Sequence, residues 1–371
     1  MKETAAQQIT AVLPFNHIFK VDSIMKIDDL IEKCTEAPEI KEERCSFGRR
    51  LVLDRGEDFG FLHFLPLFPG ITLAYIKINA LTWPAPTLYP EGSAGEFSQP
   101  GQTVQAQPSS APARLKGPLL INYCISGRCE LLLNTDNYVY IQSGELSLTE
   151  SYAANQYLYP GRFYEGMEFF IDLDSVSLEA PWMKTEFGLS LTALTERYCP
   201  ACSTYIAGAA SEPDWIFQKL WTLYQPEDPG SVQQMRVYSL SLLSALQSAR
   251  AIVPAQQHTF YTKSQVEIAK KTEQILTGDL SQHHPARELA DSFSISETSL
   301  KNYFRGVYGE NISSYMQKKR MEKAGELLLK TSLPVSDIAL QTGYSSQSKF
   351  AAVFRKFYQA APLEYRRRQH L

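Results

Sequence analysis

Between Pro285 and Arg366 the apolar positions recur with a helical period, and the same pattern comes twice, about fifty residues apart. In the first copy a short helix, Arg287 to Asp291, runs into Ser294-Ile295-Ser296, and a second helix follows with Leu300, Tyr303, Phe304 and Val307 on one face. In the second copy Ser336-Asp337-Ile338-Ala339 runs into Thr342-Gly343-Tyr344-Ser345-Ser346, and the next helix carries Phe350, Val353, Phe354 and Phe357 at the same spacing. Gly343 suits a tight turn that needs a positive φ. Ser296 and Ser346 suit helix N-caps. A long amphipathic helix, Ile312 to Lys330, is predicted between the copies, with Tyr315, Met316, Ala324, Leu327 and Leu328 on its apolar side and Pro334 blocking its extension. Two helices joined by a short turn form a helix-turn-helix, whose second helix can enter a DNA major groove.

Upstream the period changes. Leu51-Val52-Leu53, Phe59 to Leu67 and Ile71 to Ile78 read as strands broken at Arg55-Gly56 and Pro69-Gly70. Leu119 to Asp174 is the most β-like stretch: Leu120 to Ile125 stopping at Ser126-Gly127, then Cys129 to Leu133, Tyr138 to Ile141, Glu145 to Thr149 and Gly166 to Ile171. Many short strands with regular turns predict a small antiparallel jelly roll or barrel, about 50–175. Residues 84–117, rich in Pro, Ser, Gly, Ala and Gln, are expected to be a mobile insertion. From Trp182 the pattern turns helical to about residue 252, including an amphipathic helix from Val232 to Ala251 that could pack on its own chain or on a second subunit. Ile27 to Cys34 reads as a short helix, and the rest of 1–48 is unreadable by pattern. The expected class is therefore α+β. Residues 1–252 are expected to form an effector-sensing domain that could also dimerise, 253–263 a linker, and 264–371 an all-α domain.

The C-terminal residues resemble the DNA-binding domain of the AraC/XylS family of bacterial transcription regulators. The likeness rests on Leu289-Ala290, Ser296, Leu300, Phe304, Tyr315, Arg320, Ala324, Leu328, Ile338-Ala339, Gly343-Tyr344, Phe350, Phe354 and Pro362-Leu363-Glu364-Tyr365-Arg366. More loosely, the β-rich part resembles that family's cupin-like sensor domain. The resemblance implies a transcription regulator, an activator by expectation, with double-stranded DNA and RNA polymerase as partners, a small-molecule effector, and dimerisation through helices that follow the barrel. It also implies that Thr298, Lys301 and Asn302 face bases, with Arg305 on the same helix face. Gln347, Ser348, Lys349 and Ala352 match on the second helix. Lys can read guanine and Asn can bond adenine in a bidentate way, whereas Ala352 can offer only a methyl contact. Arg355 and Lys356 are expected on phosphates, which adds affinity without specificity. Ser296 and Ser346, at the helix starts, complete the expected contact set.

Charge agrees with that division. Residues 264–371 hold 16 Lys+Arg against 11 Asp+Glu, a balance of +5, within a chain of net charge −4, so the remainder carries −9. The start of the sequence has no signal-peptide pattern and no window is apolar enough for a membrane span, which gives a cytoplasmic expectation. No cofactor, no catalytic group and no metal are expected. An enzymatic cupin needs converging His ligands, yet only His17 and His63 precede residue 258. Cys199 with Cys202, and Cys124 with Cys129, leave a metal or thiol site open as a minor alternative. Tyr123, Tyr138, Tyr140, Tyr157, Tyr159, Phe163 and Tyr164 could line an effector pocket or be plain strand formers, and Arg128 and Arg162 could meet an anion or water. Control by a partner protein in place of an effector, and an enzyme fused to a DNA-binding end, are the competing functional classes.

Overall fold

A computed structural model describes residues 27–84, 118–132, 137–150, 158–199, 204–208, 211–225, 227–248 and 259–368. The chain divides into two compact units, one within residues 1–134 and 141–258, the other within 135–140 and 259–371. Most of the Pro/Ser/Gly-rich stretch at 84–117, most of the linker, and His17, Tyr157 and Cys202 lie outside the described residues.

Helix α1 (Ile27–Thr35) opens the first unit and precedes strands β1 (Ile40–Arg44), β2 (Arg49–Arg55), β3 (Asp58–Phe68) and β4 (Ile71–Asn79). After them come β5 (Leu119–Leu132), β6 (Asn137–Gln142), β7 (Glu145–Glu150) and β8 (Tyr164–Ile171). In the first unit the sheet runs β1-β2-β3-β4-β8-β5, with β7 on β5. Its pairings among the described residues are antiparallel. Period-two alternation puts Leu65, Leu67, Leu73, Tyr75, Ile121, Tyr123, Met167 and Phe169 on one face, all buried. That face packs against helices α2 (Leu173–Glu179), α3 (Trp182–Phe187), α4 (Leu191–Tyr198), α5 (Ser211–Thr222) and α6 (Pro229–Gln247). Tyr123 stacks flat on Phe217 of α5 at 4.2 Å, and the Tyr75 hydroxyl donates to the Leu220 carbonyl at 2.5 Å.

Three sequence expectations change here. The stop expected at Ser126-Gly127 is a bulge inside one continuous strand: the register against β8 slips between Cys124 and Ser126, and Gly127 takes φ 91° with Phe163 backbone where a Cβ would stand. The stretch from Trp182 is not wholly helical, because β9 (Thr204–Gly208) pairs with β7, Leu148 opposite Tyr205. Helix begins earlier than expected, at Leu173, where the Asp172 carboxylate caps α2 by accepting from the Asp174 and Ser175 amides. The apolar stripe of α6 (Val232, Met235, Leu242, Leu243, Leu246) is buried in this chain's own core, which leaves Val237 exposed. His63, one of the two histidines weighed as metal ligands, is fully buried; Tyr224 Oη lies 2.8 Å from its Nδ1 and the Phe47 carbonyl 2.9 Å from its Nε2. Both nitrogens are therefore occupied, and burial pushes its pKa down.

In the second unit Tyr261 of β10 (Tyr261–Thr262) lies opposite Tyr138. Helix α7 (Lys263–Gly278) follows, opened by a capping box between Thr262 and Gln265. Then come α8 (Ala286–Ser292), α9 (Glu297–Tyr308), α10 (Ile312–Lys330), α11 (Val335–Gln341), α12 (Gln347–Tyr358) and α13 (Pro362–Arg368). Two small cores form, and α10 serves both. Its first half adds Tyr315 and Met316 to Leu276, Leu289, Ala290, Leu300 and Phe304. Its second half adds Met321, Ala324 and Leu328 to Val335, Ile338, Ala339, Phe350 and Phe354. Phe357, expected on the apolar stripe of α12, is instead 42% exposed.

The two turns share a geometry that their residues hide. In the first, the Ile295 amide donates to the Ala290 carbonyl; in the second, the Tyr344 amide donates to the Ala339 carbonyl. The residue before each donor is left-handed: Ser294 at φ 56° and Gly343 at φ 81°. Serine there carries strain that glycine does not. We expect Ser294→Gly to raise unfolding stability by roughly 0.5–1 kcal/mol, the relief of strain outweighing the extra freedom of the unfolded chain. Gly343→Ala should cost about 3 kcal/mol, from strain plus overpacking, since its Cβ would stand 2.5 Å from the Leu280 carbonyl oxygen and 2.8 Å from Arg320 Cζ. Urea denaturation of both variants checks the pair, and equal effects at the two turns would contradict it.

Candidate nucleic-acid interface

Helices α9 and α12 are each the second member of a helix pair, and each starts from a serine cap. Ser296 Oγ accepts from the Ser299 amide at 3.0 Å, and Ser346 Oγ accepts from the Lys349 amide at 3.4 Å. The apolar faces point into the two cores, so the opposite faces are open. Thr298, Lys301, Asn302 and Arg305 are exposed on α9; Gln347, Ser348, Lys349, Ala352, Arg355 and Lys356 are exposed on α12. Every expected contact residue is thus on an outer face, except that Ser346 is half-buried.

Electrostatics distinguish the two faces. Arg305, Lys349, Arg355 and Lys356 have no carboxylate partner among the described residues. Lys301 does: its Nζ lies 2.5 Å from Glu297 Oε1, one helical turn back. Pattern reading missed Glu297, although an i, i+4 acidic-basic pair was its available signal. A carboxylate in the first turn stabilises the helix end but opposes a phosphate there. Lys301 must leave it, or share it, to bond a base. The Asn302 side chain makes no hydrogen bond within the described residues, which leaves its amide donors and acceptor free.

The helices are held by groups that repeat at an offset of about fifty. Phe304, Tyr308 and Tyr315 cluster with ring centroids 4.6, 5.3 and 4.9 Å apart. Phe354, Tyr358 and Tyr365 repeat this at 4.6, 5.3 and 4.6 Å. Arg320 donates to the carbonyls of Leu280 and Gln282, both at 3.0 Å, and Arg366 donates to those of Leu328 and Leu333 at 3.2 and 2.6 Å. These arginines are structural clamps, with their donors aimed at backbone.

The remaining candidate chemistry is accounted for by packing. Tyr159 and Tyr164 are buried and stacked at 5.0 Å, with the Tyr164 hydroxyl donating to Asn122 Oδ1. Arg162 pairs with Asp58 at 2.5 Å, and Arg128 bonds Gln142 at 2.9 Å, so neither arginine waits for an anion. Cys124 and Cys129 are buried, and burial pushes the Cys124 thiol up to about 12 and Cys129 well above its usual value. Thiolate chemistry is suppressed there. Cys199 is buried as well. Among the described residues there is no cluster of three or more metal-ligating side chains, and no helix is long and apolar enough to cross a membrane.

Two helix pairs thus pack on one central helix and turn basic outer faces to solvent. Residues 289–368 match the family model described as a helix-turn-helix domain. The chain is 35% identical over 79 residues to the xylose operon regulatory protein of Escherichia coli (strain K12), covering 21% of this chain and 20% of that protein. It is 32% identical over 93 residues to the transcriptional activator RhaR of Mannheimia succiniciproducens, covering 25% of this chain and 34% of that protein. Among solved structures it is similar to the C-terminal domain of AraT, a response regulator from Geobacillus stearothermophilus, at 33% identity over 27% of this chain and 84% of that one, TM-score 0.26. Residues 289–368 thus hold a helix-turn-helix domain of the AraC/XylS type. The chain spans 20% and 34% of the lengths of those two relatives.

Glu297 gives the interface a direct test. Glu297→Gln removes a charge that opposes phosphate and releases Lys301. It should strengthen binding to any DNA duplex by about 0.5–1 kcal/mol at low salt. Fluorescence anisotropy with specific and scrambled duplexes measures this, and weaker binding would show that Glu297 positions Lys301 for contact.

Proposed function

We propose that this protein is a sequence-specific transcription regulator whose two helix-turn-helix units read successive major grooves, and whose first unit responds to a small molecule. The observation that carries the reading is the repeat. Two exposed helix faces, Thr298 to Arg305 and Gln347 to Lys356, stand at equivalent positions on two cores that one continuous helix joins. A packed spacer of that kind fixes the distance between two reading heads. In this reading Lys301 and Asn302 select bases, Ser296 and Ser346 donate their hydroxyl protons to phosphates, and Arg355 and Lys356 hold the backbone. Thr298, Arg305, Gln347, Ser348 and Lys349 complete the two contact surfaces, while Ala352 keeps base reading by α12 light. The domains of the regulator are then residues 1–252, built on a cupin-like antiparallel roll, and 264–371. Activation is the role proposed; the RhaR relative is itself named a transcriptional activator. RNA polymerase is the partner this requires. Effector sensing is supported by a cavity of about 610 Å³ in the first unit, a size within the usual range for small-molecule sites.

Two measurements follow. Asn302→Ala should lose about 1–3 kcal/mol of discrimination at one or two base pairs, while Arg355→Ala weakens binding to all sequences and lowers the salt slope by about one. An unchanged base preference after Asn302→Ala would remove α9 as a reading helix. For the two-groove model, contact blocks about 10–10.5 bp apart should bind best, and a shift of about 5 bp should abolish the gain from the second block. Affinity that ignores the spacing would leave α9 reading alone.

A further inference from the structure

The cavity in the first unit lies where α1, the β3–β4 turn, the end of β8 and helix α6 meet. Its apolar wall is Ile27, Ile31, Phe64, Leu67, Phe68 and Phe170, and Pro66 and Pro69 border it. Phe64 and Phe170 stand 5.9 Å apart with planes tilted by 58°. Four charged side chains also line it: Asp28, Arg49, Asp172 and Arg236. Three of them are engaged within the chain. Asp172 caps α2 through one oxygen and accepts from Ser175 Oγ at 2.8 Å through the other. Arg49 grips Glu42 through two hydrogen bonds, at 2.7 and 3.0 Å, and has Asp28 at 3.7 Å.

Arg236 differs. Its Nε donates to the Leu67 carbonyl at 2.7 Å and its Nη1 to Gln233 Oε1 at 3.3 Å. Neither partner is charged, and no carboxylate pairs with it among the described residues. The guanidinium is half-buried, fixed in orientation by a backbone carbonyl, and lines the same cavity as the aromatic wall. A cation in such a place gains most from an anion that brings its own apolar surface, and a guanidinium edge matches a carboxylate with two parallel hydrogen bonds. We infer that this cavity binds an organic acid with a flat apolar body, an aromatic monocarboxylate, whose carboxylate pairs with Arg236 and whose ring lies among Phe64, Phe68 and Phe170. As the identity of the effector, this rests on the regulatory reading above; as a binding site it stands without it.

The full chain is titrated calorimetrically with 2-naphthoate and with its neutral isostere, 2-naphthamide. The acid should bind at least about tenfold tighter than the amide, a difference of about 1.4 kcal/mol. Arg236→Gln should abolish that preference and leave amide binding unchanged, and Arg236→Lys should keep part of it. Thermal melts of the unliganded variants, close to that of the parent, show that the fold persists. Equal affinity for acid and amide, a preference that survives Arg236→Gln, or no binding of either probe at millimolar concentration overturns the proposal. DNA binding is then read with and without 2-naphthoate. Binding through Arg236 without any change at DNA upholds the site and removes the effector reading. A DNA response to some other metabolite, intact in Arg236→Gln, upholds the effector reading and removes this site.

Discussion

Helix α10 is the constraint on which the DNA-binding unit depends. Each flanking helix pair completes its core against half of α10. Tyr315 shows how much one residue does there. Its ring closes the Phe304–Tyr308 cluster, and its hydroxyl donates to Glu273 of α7 at 2.9 Å. Burial, and then Glu273, push the phenol's pKa up, so it remains a donor. Met321, Ala324 and Leu328 do the equivalent work for the second core. Truncating Leu328 to Ala would cost about 2–5 kcal/mol, more than any outer-face residue should cost, because the outer faces are free of packing. Packing side chains and exposed polar side chains are thereby placed on opposite sides of the same helices.

The first unit solves a related problem differently. One face of its sheet is covered by α2 to α6 from the same chain, so the aromatic residues that could have lined a pocket mostly serve packing. Tyr123 lies on Phe217, and Tyr75 on Tyr224 at 4.2 Å. The apolar stripe of α6 goes into that same core. A cavity persists at one end of the sheet, where α1 and the β3–β4 turn meet α6. There Pro66 cannot donate to the ladder, and the strand slips register between Pro66 and Phe68.

Much of the second unit was legible because its information is local and repeated. Spacing alone gave α10 and the alternation of faces on α9 and α12. The first turn was harder to read than the second: Gly343 announces a positive φ, whereas Ser294 adopts one without a sequence mark. Phe357 was misplaced because an i+7 position at a helix end need not reach the core. In the first unit the losses came from distance along the chain. Five residues, Thr204–Gly208, form β9 only because β7 has a free edge to offer. Arg236 meets the carbonyl of Leu67, 169 positions away, and no local pattern foretells that.

The central claim is that α10 makes α9 and α12 one rigid body. Residues 259–371 contain no cysteine, so Thr298→Cys with Ser348→Cys in that fragment places two spin labels on exposed positions of α9 and α12. Double electron–electron resonance then reports their separation directly. A single narrow distance distribution, the same with and without DNA, is the result predicted. A broad or two-peaked distribution that narrows only when DNA is added would contradict it, and would place the rigidity in the DNA.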